Sequence, residues 1–153
     1  MTSFENIPES CDVVVIGGGP AGSHVSTLLA QRGFDVVLLE KARHPCPMVG
    51  ESLIPHFWKF MDMSGVTSKV KEAGFLSKAG GIMVWNGRIH QFSFRTFGYD
   101  RPALHVERDE FDHILLKHSA SCGCAMSGRV RDPDQHRTVV ARTDDLVSGV
   151  RLL

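Results

Sequence analysis

The chain has 153 residues, 42% hydrophobic and 22% charged, and its 17 basic and 17 acidic residues cancel. That length suits one domain with a real core. The absence of net charge argues against a nucleic-acid or anionic-membrane partner, and no apolar run is long enough to cross a bilayer.

Residues 1–10 are polar, carry neither the basic segment nor the apolar core of a signal peptide, and are expected to be disordered. Residues 11–16 form a short apolar run (Cys11, Asp12, Val13, Val14, Val15, Ile16) that predicts a strand buried on both faces. Pro20 suits the first turn of a helix. Ala21, Val25, Leu28 and Leu29 continue that helix at helical spacing, and Gly33 closes it. Residues 35–40 read as a second buried strand, completing a β-α-β unit. Residues 41–54, broken by Pro45 and Pro47, read as a loop. Pro55 opens a second helical stretch containing His56, Phe57, Trp58, Phe60 and Met61, and residues 66–73 add further helix. Phe57, Trp58 and Phe60 either pack in the core or line a substrate cavity. Residues 82–85 and 88–94 flank Asn86-Gly87, the pattern of a hairpin with a type I′ turn. Residues 103–108 read as a strand and 109–121 as a helix with acids in its first turn. Beyond 121 the composition changes, with no Phe, Trp, Tyr or Lys in 122–153. Segments 138–141 and 147–153 are strand candidates there. The fold class is α/β: a partial Rossmann-like parallel sheet with a hairpin insertion.

The run Gly17-Gly18-Gly19-Pro20-Ala21-Gly22 satisfies G-x-G-x-x-G between a strand and a helix, and Glu40 ends the next strand 18 residues after Gly22. Gly17 permits the tight turn, Gly19 lets the backbone approach a pyrophosphate, and Gly22 permits close helix–strand packing. The helix N-terminus offers its unpaired N–H groups to phosphate. Glu40 can accept hydrogen bonds from a ribose. This pattern predicts a dinucleotide site without choosing between NAD and FAD. Arg43 either reaches the nucleotide or is solvated. The four cysteines and eight histidines show no metal-ligand spacing, so no metal is assigned, and free thiols in a reducing compartment are expected.

The stretch from Asp12 to Gly22, with Glu40-Lys41 and Gly50-Glu51-Ser52-Leu53-Ile54-Pro55, resembles the flavin-dependent halogenases, within the wider group of FAD-dependent monooxygenases and geranylgeranyl-reductase-like proteins. The resemblance implies FAD as cofactor, and Glu51 and Ser52 on a loop against the flavin. Ser52 has a plainer reading, as the cap of the helix entered through Pro55 or as a residue that bonds a turn. The segment from Phe75 to Trp85 resembles the stretch that carries the family's catalytic lysine, and Lys78 is the matching residue. Residues 106–112 resemble a strand-to-helix segment whose arginine, Arg108 here, contacts FAD. In this family, reduced FAD from a separate flavin reductase, oxygen and a halide ion give hypohalous acid. The lysine passes its halogen to an electron-rich small molecule, aromatic or carrier-bound. Such a lysine works desolvated in a cavity; the alternative is an exposed lysine at a strand end.

An arginine is frequent in the family near position 46, where this chain has Cys46 between two prolines. The family's later Gly-Asp segment and Trp-x-Trp-x-Ile-Pro motif are not seen. The resemblance therefore implies an incomplete FAD-binding domain over 11–121 and a weakly matching tail over 122–153. The balanced charge, the short apolar runs and the expected free thiols point to a cytoplasmic protein without membrane or nucleic-acid partners. A FAD-dependent hydroxylase or reductase without halide chemistry, and a non-catalytic nucleotide-binding fragment, remain the alternatives.

Overall fold

The computed structural model describes residues 10–130. In chain order its elements are β1 (Val13–Ile16), α1 (Pro20–Ala30), β2 (Val36–His44), β3 (Ser52–Leu53), α2 (Phe57–Ser64), α3 (Thr67–Glu72), β4 (Leu76–Lys78), β5 (Gly80–Trp85), β6 (Arg88–Ser93), a 3-10 turn (Phe94–Phe97), β7 (Ala103–His105), α4 (Arg108–Ser121) and β8 (Ala125–Val130). The expected disorder of residues 1–9 and the strand candidates at 138–141 and 147–153 lie outside the described residues. The described residues divide into two compact units, one of residues up to 46 and from 115 onward, the other of residues 47–114.

The first unit holds a parallel sheet of order β1-β2-β8. Val13 pairs with Val36 and Ile16 with Leu39, while Val37 pairs with Ala125. The β-α-β reading of the sequence is therefore the observed start of the fold. β2 is the central strand, and Val36 to Leu39 are all buried, as expected for a parallel strand flanked on both sides. Val36, Leu38, Leu116 and Cys124 form the core, with Val15, Leu29 and Ala30 packed against them.

Three sequence expectations change here. β1 is not buried on both faces: Val14 is 37% and Ile16 82% exposed, and these alternate residues share the one face of the strand that is left open. β2 does not stop at Glu40 but runs to His44, supported by β8 through an irregularity between Glu40 and His44. β8 itself, with sequence Ala-Met-Ser-Gly-Arg-Val, carries one β-branched residue and so gives no strand signal. The inner face of α1 also differs. Val25 is exposed, while Ser23, Ser26 and Thr27 are buried. Small side chains let the helix lie close to its neighbours. Their hydroxyls are satisfied internally where bonded, Ser23 donating to Gly18 O at 2.9 Å and Thr27 to Ser23 O at 2.8 Å.

The second unit holds the sheet β3-β7-β4 and the hairpin β5-β6. β7 is central, with antiparallel partners on both sides. Asn86 and Gly87 have φ of 50° and 72°, the two left-handed residues that a type I′ turn requires. Trp58, Met61, Val66, Val70, Phe75, Leu104 and Phe111 are buried. Phe111 meets Phe57 and Phe75 edge to face, with ring centroids 6.4 and 6.1 Å apart. Trp58 belongs to this core, Phe57 is half-buried, and Phe60 is exposed. Trp58 Nε1 donates to Pro102 O at 2.8 Å, and the Arg101 guanidinium lies 5.2 Å from the Trp58 ring centre. Arg101 also grips Asp62, which accepts from Thr67 Oγ1 at 2.7 Å. These hydrogen bonds, from Arg101 first and Thr67 second, hold the Asp62 carboxyl down to about 2.

Two outcomes follow. Leu38→Ala, at a fully buried position, should destabilise the first unit by about 2–5 kcal/mol, read as a lower midpoint in denaturant titration. For Asp62 the folded pKa lies below its ordinary 3.8. Its contribution is therefore complete above 3.8 and disappears as pH falls through about 2. Asp62→Asn should lower the melting temperature near neutral pH by an amount that shrinks across that window and with added salt. A pH-independent difference would contradict this.

Candidate functional site

The glycine turn is built by contacts that only glycine permits. A Cβ on Gly22 would stand 1.8 Å from Gly17 O, so the first turn of α1 sits directly on the end of β1. Gly17 itself has φ of 102°, in the left-handed region. At Gly19 the geometry is the reverse: nothing described lies within 4 Å of where a Cβ would be. Gly19 is the extended N-cap of α1, and no side chain caps the helix. The end of the helix is therefore left for a ligand, and the backbone is open where an approaching diphosphate needs room.

Glu40 ties this turn to the end of β2. One carboxylate oxygen accepts the Gly18 N–H, and the other accepts the Ala42 N–H at 2.6 Å. The side chain is 10% exposed. A carboxylate offers about four lone-pair directions, so two backbone donors leave capacity for ribose hydroxyls. A glycine-rich turn with open backbone, an uncapped helix end and a carboxylate beside it fits the adenosine diphosphate half of a dinucleotide. Arg43 lies at the exposed end of β2.

In the second unit the structure brings Lys78 and Ser52 together. Ser52 lies in β3, opposite His105, and so is not a helix cap; Lys78 lies in β4, opposite Ala103. Across the shared strand β7 the Lys78 ammonium donates to Ser52 Oγ. Lys78 is half-buried and Ser52 exposed. Glu51 is adjacent, and its own backbone N–H and that of Gly50 hold its carboxyl below the usual range. Gly50 N donates to Glu51 Oε2 at 3.0 Å, and Glu51 O accepts from Val106 at 2.9 Å.

Arg108 holds this loop. Its guanidinium is bidentate on Asp112, at 2.8 and 3.0 Å, and also donates to Val49 O at 2.5 Å. Asp112 is 1% exposed, and the doubly hydrogen-bonded pair is the strong form of such contacts. Asp112 raises the Arg108 pKa further. The sequence places Asp112 in the first turn of a helix. The partnership with Arg108, one turn away at i and i+4, was readable from spacing alone but was missed. Among the described residues no group of three or more His, Cys, Asp or Glu side chains is arranged to hold a metal. None of the four cysteines forms a disulfide.

The profile of a family described as "FAD binding domain" matches residues 10–148. The flavin-dependent halogenase armH5 of Armillaria mellea is 44% identical over 124 residues, covering 78% of this chain and 23% of that protein. The tryptophan 2-halogenase of Chondromyces crocatus is 41% identical over 117 residues, covering 76% and 22%. The chain therefore spans less than a quarter of the length of these curated relatives. Among solved structures, the myxobacterial chondrochloren halogenase CndH, an FAD-dependent halogenase, superposes with a TM-score of 0.74 at 38% identity. That match covers 80% of this chain and 29% of the other.

The close approach of Gly22 to Gly17 generates a direct test. Gly22→Ala should weaken ADP binding by roughly tenfold or more, since even a partial displacement of the helix end removes phosphate contacts worth about 1.4 kcal/mol. Titration calorimetry reads this, and unchanged affinity would show that the turn does not form the site.

Proposed function

The chain belongs to the FAD binding domain family, and from that premise we propose that it holds FAD for a flavin-dependent halogenation of an electron-rich small molecule. The observation that carries this reading is the Lys78–Ser52 hydrogen bond, which ties the one candidate catalytic lysine to the Gly50-to-Pro55 loop. When bound, FAD supplies, in its reduced form and with oxygen, the oxidising power that converts halide to hypohalous acid. A separate flavin reductase provides the reduced form.

The chain's own residues do the rest. The 17–22 turn and the end of α1 bind the diphosphate through backbone N–H groups. Glu40 accepts ribose hydroxyls. Arg108, turned onto Asp112 and the Val49 carbonyl, positions the loop instead of reaching the cofactor with its full fork. Glu51, held ionised by two backbone donors, and Ser52 present the loop's polar edge. Lys78, with Ser52 orienting its Nζ, donates a hydrogen bond to hypohalous acid or, as the free amine, carries the halogen to the substrate ring. Directly after Lys78 a groove of about 410 Å³ is lined by Ala79, Gly80, Gly81, Ile82, Gln91 and Phe92. At Gly80 and Gly81 a Cβ would collide with Phe92, so this part of the hairpin takes glycine at both positions. The groove supplies apolar and aromatic surface of the kind an aromatic substrate needs.

The test is halide-dependent product formation with FAD, a flavin reductase, oxygen and an aromatic acceptor. Lys78→Ala should lower the rate of halogenated product by about 100-fold or more, the usual scale for removing a proton-handling or transfer group. FAD affinity should stay unchanged. Halogenation that survives the substitution would overturn the assignment, and oxygenated product without halide incorporation would replace it with a hydroxylase.

A further inference from the structure

We infer that His44 is a positioning residue for the nucleotide, acting through Glu40; the inference rests on the reading of the 17–22 turn and Glu40 as the FAD site. In a regular strand, residues four apart are separated by about 13 Å. The ladder between β2 and β8 is irregular between Glu40 and His44, and there the two side chains meet: His44 Nε2 lies 3.9 Å from Glu40 Oε2. Both side chains are withdrawn from water, 3% and 10% exposed, so their interaction is screened less than a surface pair would be.

The proton on the imidazole has one reasonable place. Nδ1 is buried without a hydrogen-bond partner. Nε2 has two acceptors in its neighbourhood, Glu40 Oε2 and Cys46 Sγ at 4.0 Å. Nε2–H therefore faces the carboxylate whether the ring is neutral or charged. Glu40 Oε2 is the oxygen that also receives the Gly18 N–H. His44 thus adds a second positive dipole on the side of the carboxylate that anchors the glycine turn. This keeps Oε2 in place, and a carboxylate with these partners retains lone-pair capacity for a ribose hydroxyl. An apolar ring at position 44 would fill the same volume without this orienting effect.

The test compares two nucleotides on the 153-residue chain by titration calorimetry, ADP and 2′-deoxy-ADP. His44→Phe should weaken ADP about fivefold, the upper range for one modest ion-pair-like contact, and leave 2′-deoxy-ADP nearly unchanged. The two amide variants separate the nitrogens. His44→Gln places an N–H near the Nε2 position and should restore ADP affinity, whereas His44→Asn mimics Nδ1 and should not. If His44→Phe loses its circular dichroism signal, the Gln-against-Asn comparison decides alone. Equal losses for both nucleotides, or Gln no better than Asn, would overturn the role of His44 while leaving the FAD site standing. A wild-type chain that binds neither nucleotide would overturn both.

Discussion

The contact on which the first unit depends is the meeting of Gly22 with the Gly17 carbonyl. A methyl group there would stand 1.8 Å from that oxygen, so helix and strand are closer than any side chain allows. That closeness points an uncapped helix end at open backbone around Gly19. Glu40 then locks the arrangement by taking the Gly18 N–H from the end of β2. The same carboxylate that fixes the turn is the one a ribose would meet, so the shape of the turn and the chemistry of the site are not separable.

The second unit solves a different problem. Its chemistry sits on a two-residue strand and a three-residue strand, β3 and β4, each too short to be stable alone. They are held because both pair with β7, and because Arg108 and Asp112 fix the Val49–Gly50 backbone beside them. The Arg108 side chain is largely engaged in this work. Besides the cofactor contact that its resemblance implies, Arg108 clamps the loop that carries Glu51 and Ser52. Trp58, Phe75 and Phe111 are buried in the same unit, Phe75 and Phe111 meeting edge to face.

Much of this was legible beforehand. The β-α-β unit announces itself because buried parallel strands must be nearly all apolar, and because the glycine spacing has few other uses. The hairpin was legible because Asn86-Gly87 has the conformational freedom that one tight turn type needs. Other features were not. β8 has an ordinary composition and becomes a strand only because β2 offers it a partner. The buried face of α1 is made of serine and threonine, which hydrophobic periodicity does not detect. His44 stands in what reads as a proline-broken loop, and its burial depends on the irregular end of β2.

Taken by itself, the amino-acid sequence determined the glycine turn and the acid that partners it. Each is a local pattern in which residue type and spacing already carry the physics. Tertiary structure alone decided which groups act together. Lys78 and Ser52 are 26 residues apart and meet only across β7. Glu40 reaches Gly18 from 22 residues away. Such pairings follow from strand register, and register is set by the whole sheet, beyond the reach of any window of sequence.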